Sequence, residues 1–146
     1  MTDRREEILS RLITVCQVDG IRKVIRNQLS PGEDILPAVA VLEGDELADE
    51  TDPVTRPANA PRRVMMTPEI VILLGDLPED VGTSINTIRA AIIKAVVNDS
   101  GLLGLVINNH AIRYLGSATE LAYGRTMEAT MALKFAFTYV LLPREL

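Results

Sequence analysis

Residues 126–142 constrain the fold more than any other part of the chain, because apolar and polar residues nearly alternate along them. One side of the alternation is large and apolar, comprising Met127, Met131, Leu133, Phe135, Phe137 and Tyr139. The other side comprises Thr126, Glu128, Thr130, Lys134 and Thr138. A two-residue period is that of a strand with one buried face. The stretch outruns the usual strand of about five or six residues, so its extra length must pair with something, and a neighbouring copy of the chain is one candidate.

Size and charge restrict the class of protein. The 146 residues fit one domain, 1–146, large enough to bury a core without metals or cross-links. The net charge of −5 argues against a stable nucleic-acid platform, which would need Lys and Arg to neutralise phosphates. Cys16 is the only cysteine, so no intrachain disulfide forms, and we expect it to be a buried small hydrophobe in a protein folded inside the cell. No apolar run approaches a signal core or a membrane span, which predicts no membrane association.

Helical spacing of apolar residues predicts two helices. The first is capped by Thr2 or Asp3 and ends near Gly20. The second is capped by Thr83 or Ser84 and stops at 98–101.

Strand patterns complete the prediction. Besides the final stretch we expect strands at 21–27, at an edge of the sheet, and at 35–43, 64–74 and 103–115, with 116–124 as a connection. The sum is an α+β fold, a mixed and mainly antiparallel sheet of about four or five strands with two helices packed on one face.

Residues 44–63 show no hydrophobic period, and we predict a long mobile loop there. Its charge is acidic first and basic later, and the residues proposed to dock a partner are Glu43, Asp45, Glu46, Asp49, Glu50, Arg56, Arg62 and Arg63. Such a segment suits ordering on contact with a partner. The alternative is a surface hairpin tip without a role.

Catalytic and metal-binding patterns are weak. His110 is the only histidine and has no second ligand at metal spacing, which favours a structural or surface role inside the predicted strand. The acidic residues of 43–52 lack the spacing of a calcium loop. We therefore predict no catalytic, cofactor or metal site and no enzyme activity. A metal-assisted hydrolase using Asp45 and a small ligand-binding regulatory domain remain distant alternatives.

Two short motifs and the order of elements give the chain a family likeness. The motifs are Pro37-Ala38-x-x-x-x-Glu43-Gly44-Asp45-Glu46 at a strand exit and Tyr139-x-x-x-Pro143-Arg144 at the C-terminal end. Around them run a helix, the strand entered at Pro37, a long polar loop, the strand beginning Pro68-Glu69-Ile70, a helix and two final strands. This arrangement, which covers almost the whole chain, resembles the tail terminator (tail completion, minor tail protein U-like) proteins of long-tailed bacteriophages and related gene transfer agents.

The resemblance implies a structural virion protein made in the bacterial cytoplasm. It would form a hexameric ring on the head-proximal end of the tail tube, stop polymerisation of the major tail tube protein, and present the surface that meets the head-completion or neck protein. Genome DNA would pass through without specific binding, as suits an acidic protein. For the ring interface we propose residues of the final strand and of the 21–27 edge: Arg22, Arg26, Lys134 and Thr138. Another head–tail neck or tail assembly protein is the alternative.

Overall fold

A computed structural model describes residues 3–29, 32, 35–122 and 127–146. The elements, in chain order, are α1 (Arg4–Val15), β1 (Lys23–Arg26), β2 (Ala38–Ala48), β3 (Arg62–Asp76), α2 (Pro78–Asn98), α3 (Ser100–Leu103), β4 (Ile112–Ala122), β5 (Met127–Leu141) and a 3-10 turn (Pro143–Glu145). The predicted α+β class is confirmed: a mixed, mostly antiparallel sheet of five strands packs with three helices. The short α3 is the helix that the sequence pattern did not predict.

The strands lie in the order β1-β2-β3-β5-β4. β1 and β2 are parallel, and the other neighbours are antiparallel. β5 is therefore an interior strand, paired with β3 from Asp76↔Met127 to Arg62↔Leu141 and with β4 from Ile112↔Phe137 to Ala122↔Glu128. The long strand is confirmed over Met127–Leu141, while Thr126 lies outside the described residues. Its extra length pairs within the chain, because β3 has the same 15-residue length and runs beside it from end to end.

The core lies between the helices and one face of the sheet. The alternation of β5 places Leu133, Phe135, Phe137 and Tyr139 on this face, all fully buried. They belong to one apolar cluster with residues of α1, α2, β2 and β3, including Leu12, Ile92, Val41, Ile70 and the predicted buried Cys16. The opposite face of the sheet meets no helix in the described part of the chain. We call it the helix-free face.

The helix starts follow the local sequence. Asp3 caps α1, its carboxylate accepting the Arg5 N–H at 3.1 Å, whereas Thr2 lies outside the described residues. The predicted start of α2 at Thr83 or Ser84 is wrong. The helix begins at Pro78, almost two turns earlier, and the fixed φ of proline suits a first turn. The Ser84 hydroxyl instead donates to the Asp76 carboxylate, 2.9 Å away.

The predicted strand at 103–115 is also wrong in its first part. Leu103 ends α3, and the alternating Leu105, Ile107 and Ala111 lie in the turns and bends after it. His110 lies exposed in those turns, where its backbone N–H donates to the Asn108 side chain at 2.8 Å. β4 then runs through 116–122, most of the stretch expected to be a connection.

The remaining strands match their predicted positions with shifted ends. The edge strand of 21–27 is β1, at the edge of the sheet as expected. The strand expected at 35–43 begins later and continues to Ala48, and the one expected at 64–74 extends at both ends. Pairing explains the extensions. The part of β2 beyond residue 43 pairs with β3, and both added ends of β3 pair with β5.

One ion pair ties α1 to the junction of α2 and α3. The Arg11 guanidinium donates to both carboxylate oxygens of Asp99, at 2.8 and 2.7 Å. The same carboxylate caps α3 by accepting the Leu102 N–H at 2.8 Å. The hydrogen bonds from Arg11 lower the pKa of Asp99 below its usual value, although partial burial opposes them.

We predict that Asp99→Ala lowers the free energy of unfolding by about 2 kcal/mol, because it removes a helix cap and a bidentate pair together. Urea unfolding at pH 7 measures the loss. Since the pKa of Asp99 is lower in the folded than in the unfolded state, its ionised form stabilises the fold above the unfolded pKa of about 3.9. That contribution disappears as the pH falls through the folded pKa, so the difference between wild type and Asp99→Ala should narrow in acid.

Asp19→Ala is the matched control, because Asp19 is exposed and no hydrogen bond or ion pair is described for it. It should unfold like the wild type. Equal unfolding free energies for Asp99→Ala and Asp19→Ala would contradict the role given to the Arg11–Asp99 pair.

Candidate interaction surfaces

The segment predicted as a loop, 44–63, forms the outer part of a β-hairpin arm: strand residues at both ends and a connection between them. Pairing of β2 with β3 resumes after a bulge between Leu42 and Asp45 and continues to Ala48↔Val64, which leaves only 49–61 between the strands. Gly44 makes the bulge possible: its φ is +67°, and a Cβ there would collide with the Thr67 carbonyl. The predicted bounds 44–63 were therefore too wide, and we call 49–61 the arm tip.

Asp52 and Arg62 organise the arm tip. The Asp52 carboxylate accepts the Arg63 backbone N–H at 2.9 Å and lies 3.3 Å from the Arg62 guanidinium. The hydrogen bond from the Arg63 N–H is the main cause of a lowered pKa for Asp52, and the hydrogen bond from Arg62 lowers this pKa further. Arg62 also donates to the carbonyls of Pro53 and Pro57, each at 3.2 Å. The Arg62 guanidinium thus binds backbone oxygens from much of the tip.

The other charged residues of the tip mostly bond within it. Asp49 accepts the Thr51 hydroxyl at 2.6 Å, and the Arg63 guanidinium donates to the same hydroxyl at 3.0 Å. Arg56 donates to the Pro61 carbonyl at 3.3 Å. Glu50 is exposed and has no described polar partner. The acidic and basic halves therefore bond to each other in one chain, while mobility and ordering by a partner stay predictions.

Two of the proposed docking residues instead hold the base of the arm. Glu43 accepts hydrogen bonds from Arg26, the shortest at 2.9 Å, and Arg26 also binds both oxygens of Glu6, at 2.7 and 2.8 Å. These bonds raise the pKa of Arg26 and lower that of Glu6. Glu46 accepts a hydrogen bond from the Tyr139 hydroxyl. Asp45 is exposed and lies in register with Thr67.

The four residues proposed for a ring interface do not lie together. Arg26 is held on the helix side by the bonds just described. Lys134 lies on the helix-free face, 3.6 Å from Glu69. Thr138 is partly buried on β5, where its N–H donates to the Ala111 carbonyl at 3.1 Å. Arg22 is exposed beside β1, with β2 and β3 between it and β5. Their separation follows from the interior position of β5.

The helix-free face has an apolar centre. Ile25, Ala40, Val71 and Leu73 form a second buried cluster on it, each at most 8% exposed. A shallow groove of about 340 Å³ continues the cluster toward β4, and Leu29 at its rim is about half exposed. Leu36, Leu42 and Ala132 pack against the cluster, so its residues are covered and the groove is the open part of this region.

β4 is an exposed surface that the sequence pattern did not predict. The strand forms the end of the sheet opposite β1, and residues 117–122 are exposed on both faces. The sequence signal for a strand is weak here. Ser117-Ala118-Thr119-Glu120-Leu121 contains one β-branched residue and follows a glycine, a composition that favours a connection.

Two features bear on metal and thiol chemistry. They contain no cluster of three or more His, Cys, Asp or Glu side chains able to hold a metal ion. Burial raises the pKa of the Cys16 thiol to about 12, which removes it as a nucleophile near neutral pH. None of the helices in this part of the chain has the length and apolar character needed to cross a bilayer.

No protein-family model matches the chain, and no curated protein matches it significantly. The likeness to tail terminators is therefore a hypothesis that depends on the residues and element order described above.

We predict that Asp52→Ala opens the arm tip without unfolding the domain. The change removes the acceptor of the Arg63 N–H and the partner of Arg62, so amide hydrogen exchange should accelerate at least about tenfold across 49–61. Amides of 70–74, in the middle of the sheet, should exchange as in the wild type. Hydrogen–deuterium exchange with mass spectrometry separates the two regions.

Glu50→Ala is the control for this experiment, since it removes a neighbouring carboxylate that has no described polar partner. Unchanged exchange at 49–61 in Asp52→Ala would show that Asp52 does not hold the tip.

Proposed function

We propose that this protein is a tail-terminator-like structural component of a phage or phage-related particle. It forms a ring on the head-proximal end of the tail tube, ends tube polymerisation and presents the attachment surface for the head. Its partners are further copies of itself, the tube protein and a head-completion or neck protein.

The observation that carries this proposal is that the two motifs of the family likeness meet in space. Glu46, from the strand exit, accepts a hydrogen bond from Tyr139, from the C-terminal motif, although 93 residues separate them. Tyr139 is fully buried, so its hydroxyl needs such a partner. A hydrogen bond between the two motifs is expected if both belong to one structural unit. It would be a coincidence if the two sequence matches were unrelated.

The rest of the C-terminal motif lies at the same end of the molecule. Pro143 begins the 3-10 turn after β5, and it borders a cavity of about 330 Å³ together with residues of the arm tip. With its amide oxygen turned toward Arg144, Asn59 of the tip accepts two hydrogen bonds from that guanidinium, at 3.1 and 3.2 Å. The arm and the C-terminus therefore form one end of the protein, which we call the arm end.

We assign docking on the tail tube to the arm end. Val54 is 92% exposed at the tip and Leu47 is 67% exposed on β2, the two highest exposures among the large apolar side chains described. Arg56 and Glu50 are exposed next to them. Protein–protein contacts usually combine apolar side chains with polar and charged ones, and the arm end exposes both kinds.

Electron microscopy of particles assembled with this gene disrupted tests the function directly. We expect overlong tubes of uncontrolled length, separate from filled heads. Tails of normal length without heads would assign the protein to the neck instead. Intact infectious particles would contradict both roles.

A surface variant tests the assignment of the arm end. Val54→Asp should leave the melting temperature within about 2 °C of the wild type, because the side chain is exposed. It should reproduce the overlong tubes of the disrupted gene, because a charge in an apolar contact costs binding energy. Complementation followed by electron microscopy measures the outcome.

Leu77→Asp is the matched control. Leu77 is an exposed leucine just past Asp76, at the end of β3 farthest from the arm. Normal tails with Val54→Asp, or overlong tubes with both variants, would contradict tube docking by the arm end.

A further inference from the structure

β4 is an open strand edge 11 residues long. It pairs with β5 on one side only, and no hydrogen bond from the described residues reaches its outer side. Such edges are templates for pairing with another strand unless charge, proline or a covering element protects them. Residues 112–122 contain no proline and only two charged residues, Arg113 and Glu120, while Leu115 and Leu121 are each 43% exposed.

The ladder with β5 identifies the backbone groups that point outward. Thr138 donates its N–H to the Ala111 carbonyl, so the even-numbered residues of β5 direct their backbone groups toward β4. Their partners after the bulge at Leu115 are Gly116, Ala118, Glu120 and Ala122. The residues between those partners, at 117, 119 and 121, therefore direct their N–H and C=O groups away from the sheet.

The other edge of the sheet is β1, and it runs opposite to β4. β1 is parallel to β2, and each of the next three neighbours reverses direction. If the β1 edge of a second copy lies beside β4, with the helices of both copies on the same side, the new pair is antiparallel. This is the more stable pairing geometry.

Side chains on the two edges also complement each other. Glu120 pairs in register with Thr130, and Lys23 with Ala38, so both lie on the helix-free face. Both are exposed, and neither takes part in a described ion pair. A continued sheet would bring opposite charges together on one face, which favours β1 of another copy over a second β4 edge, where Glu120 would approach Glu120.

We infer that β4 of one copy pairs with β1 of the next, so that the five-stranded sheets join head to tail. This inference builds on the ring in the proposed function and names its contact. The two edges are different surfaces, as a heterologous interface requires, and such interfaces close into rings when the rotation per copy permits. β1 is only four residues long and carries Lys23 and Arg26, which restricts the pairing of this edge with unrelated strands.

Thr119→Pro tests the strand pairing in the full-length purified protein. Proline removes an outward N–H and leaves the bonds to β5, so the monomer should stay folded with near-wild-type circular dichroism. Its self-association constant, measured by analytical ultracentrifugation over a concentration series, should weaken at least about tenfold. Thr119→Val keeps the N–H and is the matched control, expected to associate like the wild type.

A charge exchange tests the partner strand. Glu120→Lys alone and Lys23→Glu alone should each weaken association, and the double variant should restore it.

Cysteines at the same positions test proximity: a double variant Glu120→Cys with Lys23→Cys should give a ladder of covalent oligomers with a short bis-maleimide, while Glu120→Cys alone should stay monomeric. The buried Cys16 should not react.

The outcomes separate this inference from the proposed function. Rings that persist in Thr119→Pro, or covalent dimers of Glu120→Cys alone, would overturn the β4–β1 contact and leave tail termination open to its own test by gene disruption. A wild-type chain that stays monomeric at every concentration would also overturn the contact. Normal tails after gene disruption, together with a confirmed β4–β1 contact, would overturn the function alone.

Discussion

The burial of one face of β5 is the constraint on which the rest of the structure depends. Its large side chains fill the space between sheet and helices, with Phe135 at 5.5 Å from the Tyr114 ring and 6.4 Å from Phe137 between ring centres. Because β5 lies between β3 and β4, this face contacts every layer of the domain. A single-residue slip of β5 would expose all of these side chains. The register of both neighbouring strands is fixed by the same requirement.

That register also shapes the arm. β3 is as long as β5, and the two strands pair from one end to the other. The arm extends from the N-terminal end of β3. The Tyr139 hydroxyl, on the buried face, then meets Glu46 at the base of the arm. Asp52 and Arg62 close the tip by pairing its two charged halves. A proposed docking surface is thus held to the core by one strand register.

The interior position of β5 leaves β1 and β4 as the edges. Both proposals depend on this arrangement, since assembly requires surfaces that the domain itself does not use. The arm end offers exposed apolar side chains, and the two edges offer backbone groups that run in opposite directions. Tube docking and ring closure would then use different parts of the sheet, which explains why the variants proposed for each are separable.

Local periodicity in the sequence determined α1, β1, the apolar parts of β2 and β3, most of α2 and the two-faced pattern of β5, because a buried face imposes its spacing on each element alone. The α+β class followed from their order. Tertiary structure decided what depends on partners distant in the chain: the interior position of β5, the extension of β2 and β3 into an arm, and the edge strand β4, whose exposed residues carry no burial period. The same division between sequence and tertiary structure applies to the residues proposed to dock a partner. Their charges were visible in the sequence, but the commitment of Glu43 to Arg26 and of Glu46 to Tyr139 arises only when distant strands pair.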